Sequence, residues 1–427
     1  MKSFLIPQIN LIFSGHKLHN KKVDILIEKG KIKEVSKGGS IKAKGLEAIE
    51  FPNACISPGW FDMQVHLSDP GFEYKESFKD LNDAAIKGGF TGLLCYPNTE
   101  PVVDNGQILR SLIQQSQHFP VDFFFSGALS HGTEGKDLAE VYEMHEAGAK
   151  AFTDGTHPVQ NPGLLLRAFQ YTKAFSGLII DCPMDLLLNG GGQMHEGAVS
   201  TSLGMKGIPL LSESLALSRQ LQILEYAAAR LHVQPISSSE SVALMQAAKR
   251  KKLQVSVGTN IAYLSMTDKM LEEFDSNYKL FPPLRSEKSL KQLQKALEKG
   301  QIDVISSGHQ AQGTEEKNLQ FEQAEPGMLS LQTFFSQANE HLIQKGIIDL
   351  DKWVSMLAIK PREILGLDIP ALEEGAVPNL TIFDPEKSWT FDASQISSRA
   401  KNSPHLNKKQ IGKVLGLCKD GDFFDMR

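Results

Sequence analysis

Ile56-Ser-Pro-Gly-Trp-Phe-Asp-Met-Gln-Val-His-Leu67 is the first of eight apolar, β-branched or aromatic runs in this chain. Each run is separated from the next by a stretch with helical periodicity. Eight strands that alternate with helices over about 250 residues are the content of an α/β protein with a (β/α)8 TIM barrel, and the pattern predicts that fold. The other seven runs are Gly92–Tyr96, Val121–Phe125, Lys150–Phe152, Leu178–Ile180, His232–Ile236, Gln254–Val257 and Ile302–Ile305.

Short strands also occupy both ends of the chain. Val23–Ile27 and Ile32–Val35 flank a glycine turn, which is typical of a hairpin. Asn379–Asp384 and Gly412–Gly416 are strand-like as well. We therefore expect a small β-sandwich domain built from residues 1–54 and 369–427, with the barrel at residues 55–368.

Composition excludes several classes of protein. The 427 residues include 45 basic and 50 acidic side chains, and the net charge of -5 argues against a nucleic-acid binder. No apolar run is long enough to span a membrane, and the N-terminal segment, interrupted by Pro7 and Asn10, is predicted as a strand rather than a secretion signal. The four cysteines lie far apart, which excludes a disulfide scaffold or a zinc ribbon and indicates a reducing, cytoplasmic location.

Chemistry in such a barrel is expected where the strands end, at the C-terminal face. Gln64 and His66 are two residues apart on a strand and point the same way. Two histidines at this spacing would bind one metal, but glutamine is a poor zinc ligand. The favoured interpretation of His66 is a hydrogen-bonded pocket histidine.

The remaining strand ends are poor in ligands. Pro235 has no ligand atom, and Gly308 has no side chain at a position where a carboxylate would be the natural general base. Asp181 and Cys182 end a strand together and could coordinate a metal in principle. His309 could act alone as a base, although hydrogen bonding or packing is the favoured interpretation for it and for His232.

Ser57-Pro-Gly-Trp-Phe-Asp-Met-Gln-Val-His-Leu-Ser-Asp-Pro-Gly-Phe-Glu-Tyr-Lys75 is similar to the corresponding segment of the dihydroorotases of the amidohydrolase superfamily. The resemblance implies a metal-barrel hydrolase with a small β-domain from both termini. It also implies the interconversion of carbamoyl aspartate and dihydroorotate in pyrimidine synthesis by a zinc-bound hydroxide. Further matching segments include Pro97–Thr99, Ala151–Asp154, Met194–Gly197, Lys279–Arg285, Glu316–Lys317 and Lys401–Pro404.

The chain departs from the family pattern at the residues that carry its chemistry. The family strand-1 motif H-V-H-L-R-D-P-G reads Gln64-Val-His-Leu-Ser-Asp-Pro-Gly71, so one metal histidine and the substrate arginine are replaced. The strand-4 motif lacks one aspartate, and a P-H-H segment reads Ile261-Ala-Tyr263. The strand-5 histidine falls at Asp181 or Cys182, the strand-6 histidine at Pro235, a substrate asparagine at Phe281 and the catalytic aspartate at Gly308.

These losses predict a pseudoenzyme with no catalytic residue and no bound metal. The resemblance implies that such a protein acts as a structural or regulatory partner of aspartate carbamoyltransferase, and we expect a homo-oligomer. The vestigial pocket would comprise Gln64, His66, Asn98, Asp154, Asp181, Pro235, Phe281 and His309.

Two alternatives remain open from the sequence. The first is an active cyclic amidohydrolase with an altered single-metal or metal-free site, for which His66, Asp154, Asp181 and His309 would have to converge. The second is a sensor that binds a ureide or a nucleotide through Asn98 and Arg285.

Overall fold

The structure is a computed structural model that describes residues 3–42 and 45–427. The described strands are, in chain order, β1 (Phe4–Leu11), β2 (Lys22–Glu28), β3 (Lys31–Lys37), β4 (Glu47–Ala48), β5 (Cys55–Pro58), β6 (Trp60–His66), β7 (Phe90–Tyr96), β8 (Asp122–Gly127), β9 (Ala151–Phe152), β10 (Leu178–Asp181), β11 (Met194–His195), β12 (Gly207–Ile208), β13 (Arg230–Val233), β14 (Gln254–Asn260), β15 (Val304–Ser306), β16 (Asn379–Phe391), β17 (Lys408–Lys419) and β18 (Asp422–Asp425).

The α-helices are α1 (Phe78–Gly88), α2 (Gly106–Ser116), α3 (Val141–Ala147), α4 (Pro162–Lys173), α5 (Leu186–Asn189), α6 (Ala198–Leu203), α7 (Leu210–Ala227), α8 (Ser239–Arg250), α9 (Ile261–Ser265), α10 (Glu287–Glu298), α11 (Thr314–Lys317), α12 (Phe334–Ala338), α13 (Leu350–Val354) and α14 (Lys360–Leu365). Short 3-10 turns span His131–Thr133, Asp268–Leu271, Ser276–Tyr278 and Leu331–Thr333. π-Helical turns span Asn339–Ile343 and Ser355–Ile359. In the described part of the chain, no helix combines the length and the apolar character that crossing a membrane requires.

Eight parallel strands form a nearly closed barrel in the order β6-β7-β8-β9-β10-β13-β14-β15. The backbone just after β15 completes the ring, because the amide of His66 donates to the carbonyl oxygen of His309 at 2.9 Å. Val65 forms a parallel bridge to the same residue. The (β/α)8 fold that the alternating pattern predicts is therefore confirmed.

Strands from both ends of the chain form a second sheet beside the barrel. Its order is β18-β17-β16-β5-β1-β2-β3, with β4 paired to β1. The predicted hairpin is β2 and β3, and the N-terminal segment forms strand β1, as expected. These strands, which we expected as a sandwich, are connected in one continuous sheet. The domain limits after residues 54 and 368 stay predictions, and residues 1, 2, 43 and 44 within them lie outside the described residues.

The run Ile56–Leu67 is two strands rather than the single strand that the sequence predicts. β5 lies in the second sheet between β1 and β16, whereas β6 opens the barrel. Gly59 joins them, and a Cβ atom there would lie 2.0 Å from Asn379 Oδ1 and 2.2 Å from Thr91 Oγ1. The chain therefore passes between the two sheets at a point with no room for a side chain. Pro58 and Gly59 are the sequence signal for this break, because a Pro-Gly pair inside an apolar run is typical of a turn.

An aromatic cluster packs at this junction between the barrel and the second sheet. The ring of Trp60 lies 5.3 Å from Phe335, 5.7 Å from Trp353 and 5.2 Å from Phe383, measured between centroids. All four side chains are buried. Because Phe383 belongs to β16, this cluster fixes the second sheet against the start of β6, and thereby the position of the residues that β6 carries to the barrel mouth.

Candidate functional site at the barrel mouth

The C-terminal ends of the barrel strands bring together most of the residues that the sequence singles out. Gln64 and His66 end β6, and Asn98 and Asp154 follow β7 and β9. Cys182, Pro235 and Gly308 follow β10, β13 and β15, respectively. The expected rim position of these residues is therefore correct, and the question is what their side chains contact.

Gln64 is bound within the barrel by a chain of buried polar side chains. Ser256 Oγ donates to His232 Nδ1 at 2.7 Å, and His232 Nε2 donates to Gln234 Oε1 at 2.6 Å. Gln234 Nε2 in turn donates to Gln64 Oε1 at 3.2 Å. Burial lowers the pKa of His232 to about 4, which agrees with a neutral ring that donates on one side and accepts on the other. The favoured interpretation of His232 as a satisfied buried histidine is thus confirmed.

The structure settles the register at the end of β10. Asp181 Oδ2 accepts a hydrogen bond from Gln220 Nε2 of α7 at 2.5 Å, so this carboxylate faces the helix layer. Side chains alternate along a strand, which turns Cys182 toward the barrel mouth. Asp181 is therefore no part of the vestigial pocket that we predicted. Burial and the nearby Asp154 raise the pKa of Asp181 well above its usual range.

The space beside Gly308 is filled by a neighbouring side chain. Gly308 has a φ of +64°, and a Cβ atom on it would lie 2.3 Å from Asn260 Nδ2. Asn260 ends β14, the adjacent barrel strand, and its Oδ1 is buried without a hydrogen-bond partner. An aspartate at position 308 would therefore need a displaced Asn260 and would occupy a backbone conformation that is unfavourable for residues with a side chain.

Asp154 is retained from the family pattern but is fully occupied by its neighbours. Its Oδ1 accepts hydrogen bonds from the amides of Leu129 and Ser130 at 2.9 and 2.8 Å, and its Oδ2 accepts one from Ser130 Oγ at 2.5 Å. The residue is completely buried, and burial raises the pKa of its carboxyl group. Asp154 thus holds the segment after β8 in place and presents no free oxygen to the mouth.

Asn98 connects two loops at the rim. Its Nδ2 donates to the carbonyl oxygen of Asp154 at 3.0 Å, and its Oδ1 accepts from the amide of Thr156 at 3.2 Å. Both ends of the amide side chain are therefore used to join the segments that follow β7 and β9.

His309 is held from both sides of its ring. Its Nδ1 accepts from the amides of Ser330 and Leu331 at 3.2 and 3.4 Å, so Nε2 carries the proton. Nε2 donates to the two carboxylate oxygens of Glu76 at 3.0 and 3.1 Å. Ser398, from the segment between β16 and β17, donates to the same carboxylate. The expected hydrogen bonding of His309 is confirmed, whereas the expectation that it does not act as a base stays a prediction.

Glu76 is a site residue that sequence reasoning missed. It is almost completely buried, and it lies directly after the matched segment Ser57–Lys75. Nothing in the local sequence distinguishes it from a surface glutamate before helix α1. Its partners His309 and Ser398 are 233 and 322 positions away along the chain.

His66 remains as the retained residue with access to the mouth. Its imidazole contacts the ring of Tyr96 in a T-shaped arrangement, with 5.3 Å between centroids. Desolvation, with His309 as a second cause, lowers the pKa of His66 to about 4, so the ring is neutral at pH 7. Tyr96 Oη is buried and has no hydrogen-bond partner.

Phe281 lies at the side of the mouth that follows β10. It packs against an apolar cluster formed by Cys182, Met184 and Ile208. The position at which the family has a substrate asparagine therefore contributes an apolar contact. Burial also raises the pKa of the Cys182 thiol well above its usual range, which keeps it protonated.

Arg285 is part of a buried ionic cluster. Its Nε donates to Ser237 Oγ at 2.9 Å and its Nη1 to the carbonyl oxygen of Ile208 at 3.0 Å, and its Nη2 lies 3.7 Å from Glu213 Oε2. Glu213 also accepts from the amides of Ser237 and Ser238, each at 3.1 Å. These contacts fix the serine-rich segment that leads into α8. Arg285 thus uses Nε and Nη1 for hydrogen bonds within the protein, while its buried Nη2 has no hydrogen-bond partner. Binding of a ureide through Arg285 stays a prediction.

Comparison with known proteins assigns the family. A family model described as Dihydro-orotase-like matches residues 54–241. The dihydroorotase of Geobacter metallireducens is 38% identical over 386 residues, which is 90% of each chain, and that of Citrifermentans bemidjiense is 37% identical over 394 residues, or 92% of each. The chain belongs to the dihydroorotase family. The dihydroorotase family is part of the amidohydrolase superfamily, as the resemblance implied.

Solved structures agree with the barrel fold of the dihydroorotase family. The L-hydantoinase (dihydropyrimidinase) from Arthrobacter aurescens superimposes with a TM-score of 0.86 at 24% identity, covering 99% of this chain and 96% of that chain. A D-hydantoinase gives a TM-score of 0.83 at 19% identity, with coverage of 99% and 95%. At these identities the likeness concerns the fold.

The residues at the mouth do not fit the zinc that the dihydroorotase family implies. Zinc requires several Cys, His or carboxylate ligands on one centre. Gln64, Pro235 and Gly308 supply none, while Asp154 and Asp181 direct their oxygens to other partners. His66 and a protonated Cys182 are the donors left at the rim. Across residues 3–42 and 45–427, no group of three or more His, Cys, Asp or Glu side chains is placed to hold a metal ion.

Proposed function

We propose that this chain is a non-catalytic dihydroorotase-like protein of pyrimidine biosynthesis. The observation that carries the proposal is found at the mouth. There, the positions of the family's catalytic and metal-binding groups are occupied by side chains that contact one another. Asn260 fills the space of the family's catalytic carboxylate, and Gln64 gives its oxygen to Gln234. Loss of a general base alone costs about 10²–10⁴-fold in rate, and the ligand positions are lost with it.

The proposal is tested by metal analysis and turnover of the purified full chain, prepared without a His-tag. Dihydroorotate hydrolysis and carbamoyl aspartate cyclisation are followed with added zinc, added manganese and no metal. We expect substoichiometric zinc and no turnover above the uncatalysed reaction. The dihydroorotase of Geobacter metallireducens, assayed in parallel, serves as the positive control. Stoichiometric zinc together with robust turnover would overturn the proposal.

A second candidate is an active cyclic amidohydrolase that opens the ring amide of dihydroorotate with an altered site. The names of the relatives, which share 34–38% identity with this chain, support it at least as well as they support an inactive protein. His66, which reaches the mouth beside Tyr96, is the residue on which such activity would depend. If turnover is found, His66→Ala distinguishes an activity of this pocket, which the variant abolishes, from a contaminating enzyme, which it leaves unchanged.

The role that we propose for the non-catalytic protein is assembly with aspartate carbamoyltransferase. The support is the family resemblance together with an intact barrel and second sheet around an altered mouth. Size-exclusion chromatography with light scattering, on a mixture of this chain and the carbamoyltransferase of the same organism, tests it. We expect one complex of higher mass than either protein. Independent elution at micromolar concentrations would contradict the partnership while leaving the question of activity to the turnover assay.

A further inference from the structure

A cavity of about 340 Å³ lies between the barrel and the second sheet. We call it the junction cavity, and its walls include Lys87 of α1 and Phe335 of α12 on one side and Trp389 of β16 and Lys413 of β17 on the other. Lys87 is in the last turn of α1, whereas Glu76 at the mouth precedes the first turn of that helix. The junction cavity is therefore separate from the mouth, and its volume is that of a small-molecule site.

Aromatic side chains with fixed positions form part of the wall of the junction cavity. Phe335 is buried in the aromatic cluster, with its ring 5.3 Å from that of Trp60. Trp389 Nε1 donates to Ser336 Oγ at 3.1 Å and to the carbonyl oxygen of Gly412 at 2.9 Å, which fixes the orientation of the indole. The wall also contains Val414 and Met426. A preformed wall of this kind favours a flat ring, because the ring packs against it without rearrangement of the protein.

Charged side chains also line the junction cavity, and they are Lys87, Lys413, Asp425 and Arg427. Two of them neutralise each other, because Arg427 Nε donates to Asp425 Oδ1 at 2.9 Å and Arg427 Nη2 donates to Asp425 Oδ2 at 2.5 Å. Lys87 Nζ donates to the carbonyl oxygen of Gln395 at 3.0 Å, which is a neutral partner. The two lysines therefore carry positive charge that the other lining residues do not balance.

Lys413 has the least satisfied charge in the lining. It is half-buried, and in the described part of the chain its ammonium group forms no hydrogen bond or ion pair. Burial and the nearby Lys387 lower the pKa of Lys413, and Asp425 only partly opposes them. A partly desolvated ammonium group without a partner is unfavourable, and an anion placed against it would restore the lost interaction.

We propose that the junction cavity binds a small ligand made of a flat aromatic or heteroaromatic ring and one anionic group, a carboxylate or a phosphate. The ring would pack against Trp389, and the anion would contact Lys413 and Lys87. An uncharged ring would leave the lysines unpaired, and an anion without a ring would leave the aromatic wall in water, so both parts of the ligand contribute. The proposal does not depend on whether the mouth is catalytic.

Isothermal titration calorimetry of the purified full chain with four probes tests the proposal. Orotate carries a carboxylate on a flat ring, and uridine 5′-monophosphate carries a phosphate, whereas uridine and inorganic phosphate each supply only one part. We expect orotate, uridine 5′-monophosphate or both to bind with a Kd below about 100 μM, and uridine and phosphate to bind at least about tenfold more weakly. The better of the first two identifies the anionic group. Binding of neither, or equal binding of uridine, would overturn the proposal.

Lys413→Gln removes a partner of the anion and should weaken binding by about tenfold or more. Lys409→Gln is the matched control, because Lys409 is an exposed lysine of the same strand, β17, that does not line the junction cavity. Unchanged affinity in Lys413→Gln would overturn the proposal, since the ligand would then bind elsewhere, for example at the mouth. An equal loss of affinity in Lys409→Gln would attribute the effect to overall charge and would overturn it as well.

Tryptophan fluorescence gives a second measurement that reports on the position of the ring. Trp60 and Trp353 are completely buried, whereas Trp389 is only half-buried. A bound ring should therefore change the emission of Trp389, and Trp389→Phe, which keeps an aromatic wall, should bind the ligand without this change. Circular dichroism establishes that each variant is folded before binding is measured. An emission change that persists in folded Trp389→Phe would contradict the proposed position of the ring and overturn the proposal.

Discussion

Asn260 Nδ2 lies 2.3 Å from the point at which residue 308 would place a Cβ atom. Asn260 ends β14 and residue 308 follows β15, so the two neighbouring strands meet at the mouth with one side chain in place of two. Restoring the family's aspartate at position 308 is therefore a packing problem as well as a chemical one.

Gly308→Asp should lower the free energy of unfolding by about 2–4 kcal/mol, since it combines a clash with a side chain at positive φ. Urea denaturation measures the loss. Gly300→Asp is the matched control, because Gly300 has a φ of +69° and open space where its Cβ would stand. The loss of stability in Gly300→Asp reports only the cost of a side chain at positive φ. Equal losses in the two variants would show that the clash with Asn260 contributes nothing.

Gln64→Ala should lower the free energy of unfolding by about 1–3 kcal/mol, because it leaves the buried Nε2 of Gln234 without its acceptor. Gln107→Ala, at an exposed position of α2, is the comparison and should be close to neutral. Chemical denaturation of both variants tests the difference. A Gln64→Ala variant as stable as Gln107→Ala would mean that the chain from Ser256 to Gln64 contributes nothing.

His232 should make the protein less stable in mild acid. Its pKa is lowered from 6.5 to about 4 by burial, so between these values the unfolded chain binds a proton that the folded chain does not. The contribution is complete above pH 6.5 and is lost as the pH falls toward 4, by roughly 3 kcal/mol in total. Urea denaturation across this range should show a shallower dependence in His232→Gln than in the wild type.

The carboxyl group of Asp62 has the opposite effect on the free energy of unfolding over part of the same pH range. Burial raises the pKa of its carboxyl group to about 6, so the folded chain takes up this proton first and gains stability as the pH falls. For this reason the difference between wild type and His232→Gln, rather than the wild-type curve alone, reports on His232. Identical slopes in the two proteins would contradict the prediction.

All four cysteines should be unreactive in the folded protein. They are buried, and desolvation raises the pKa of each thiol, for Cys55 to about 12. Thiolates are the reactive species, so a chromogenic disulfide reagent should modify the native chain slowly and all four thiols rapidly in urea. One fast thiol in the native state, identified as Cys182 by peptide mapping, would show that the mouth is more open than its packing indicates.

The barrel is readable from the sequence because its strands and helices impose local periodicities. The missing ligands at Gln64, Pro235 and Gly308 are readable for an equally simple reason, since an absent functional group is visible in the residue name. The sequence does not reveal whether Asp181 or Cys182 faces the mouth, because adjacent residues of one strand differ only in the side to which they point. The hydrogen bond of Gln220 to Asp181 decides it.

The replacements for the lost chemistry could not be predicted. Gln234 and Gln64 are 170 positions apart, and Glu76 and His309 are 233 apart. Side-chain pairs of this kind arise from the closure of the barrel and have no local signature. The sequence therefore identifies which groups are missing, while the structure identifies what occupies their places.

Gly59 connects consecutive strands of two different sheets without an intervening loop. Arg362 donates to its carbonyl oxygen at 2.8 Å, and Trp60 follows it directly into the aromatic cluster. The position of β6, whose far end carries Gln64 and His66, is thus tied to the second sheet by a connection one residue long. Substitutions that disturb the packing of the outer sheet around Gly59 are therefore expected to alter the rim of the barrel as well.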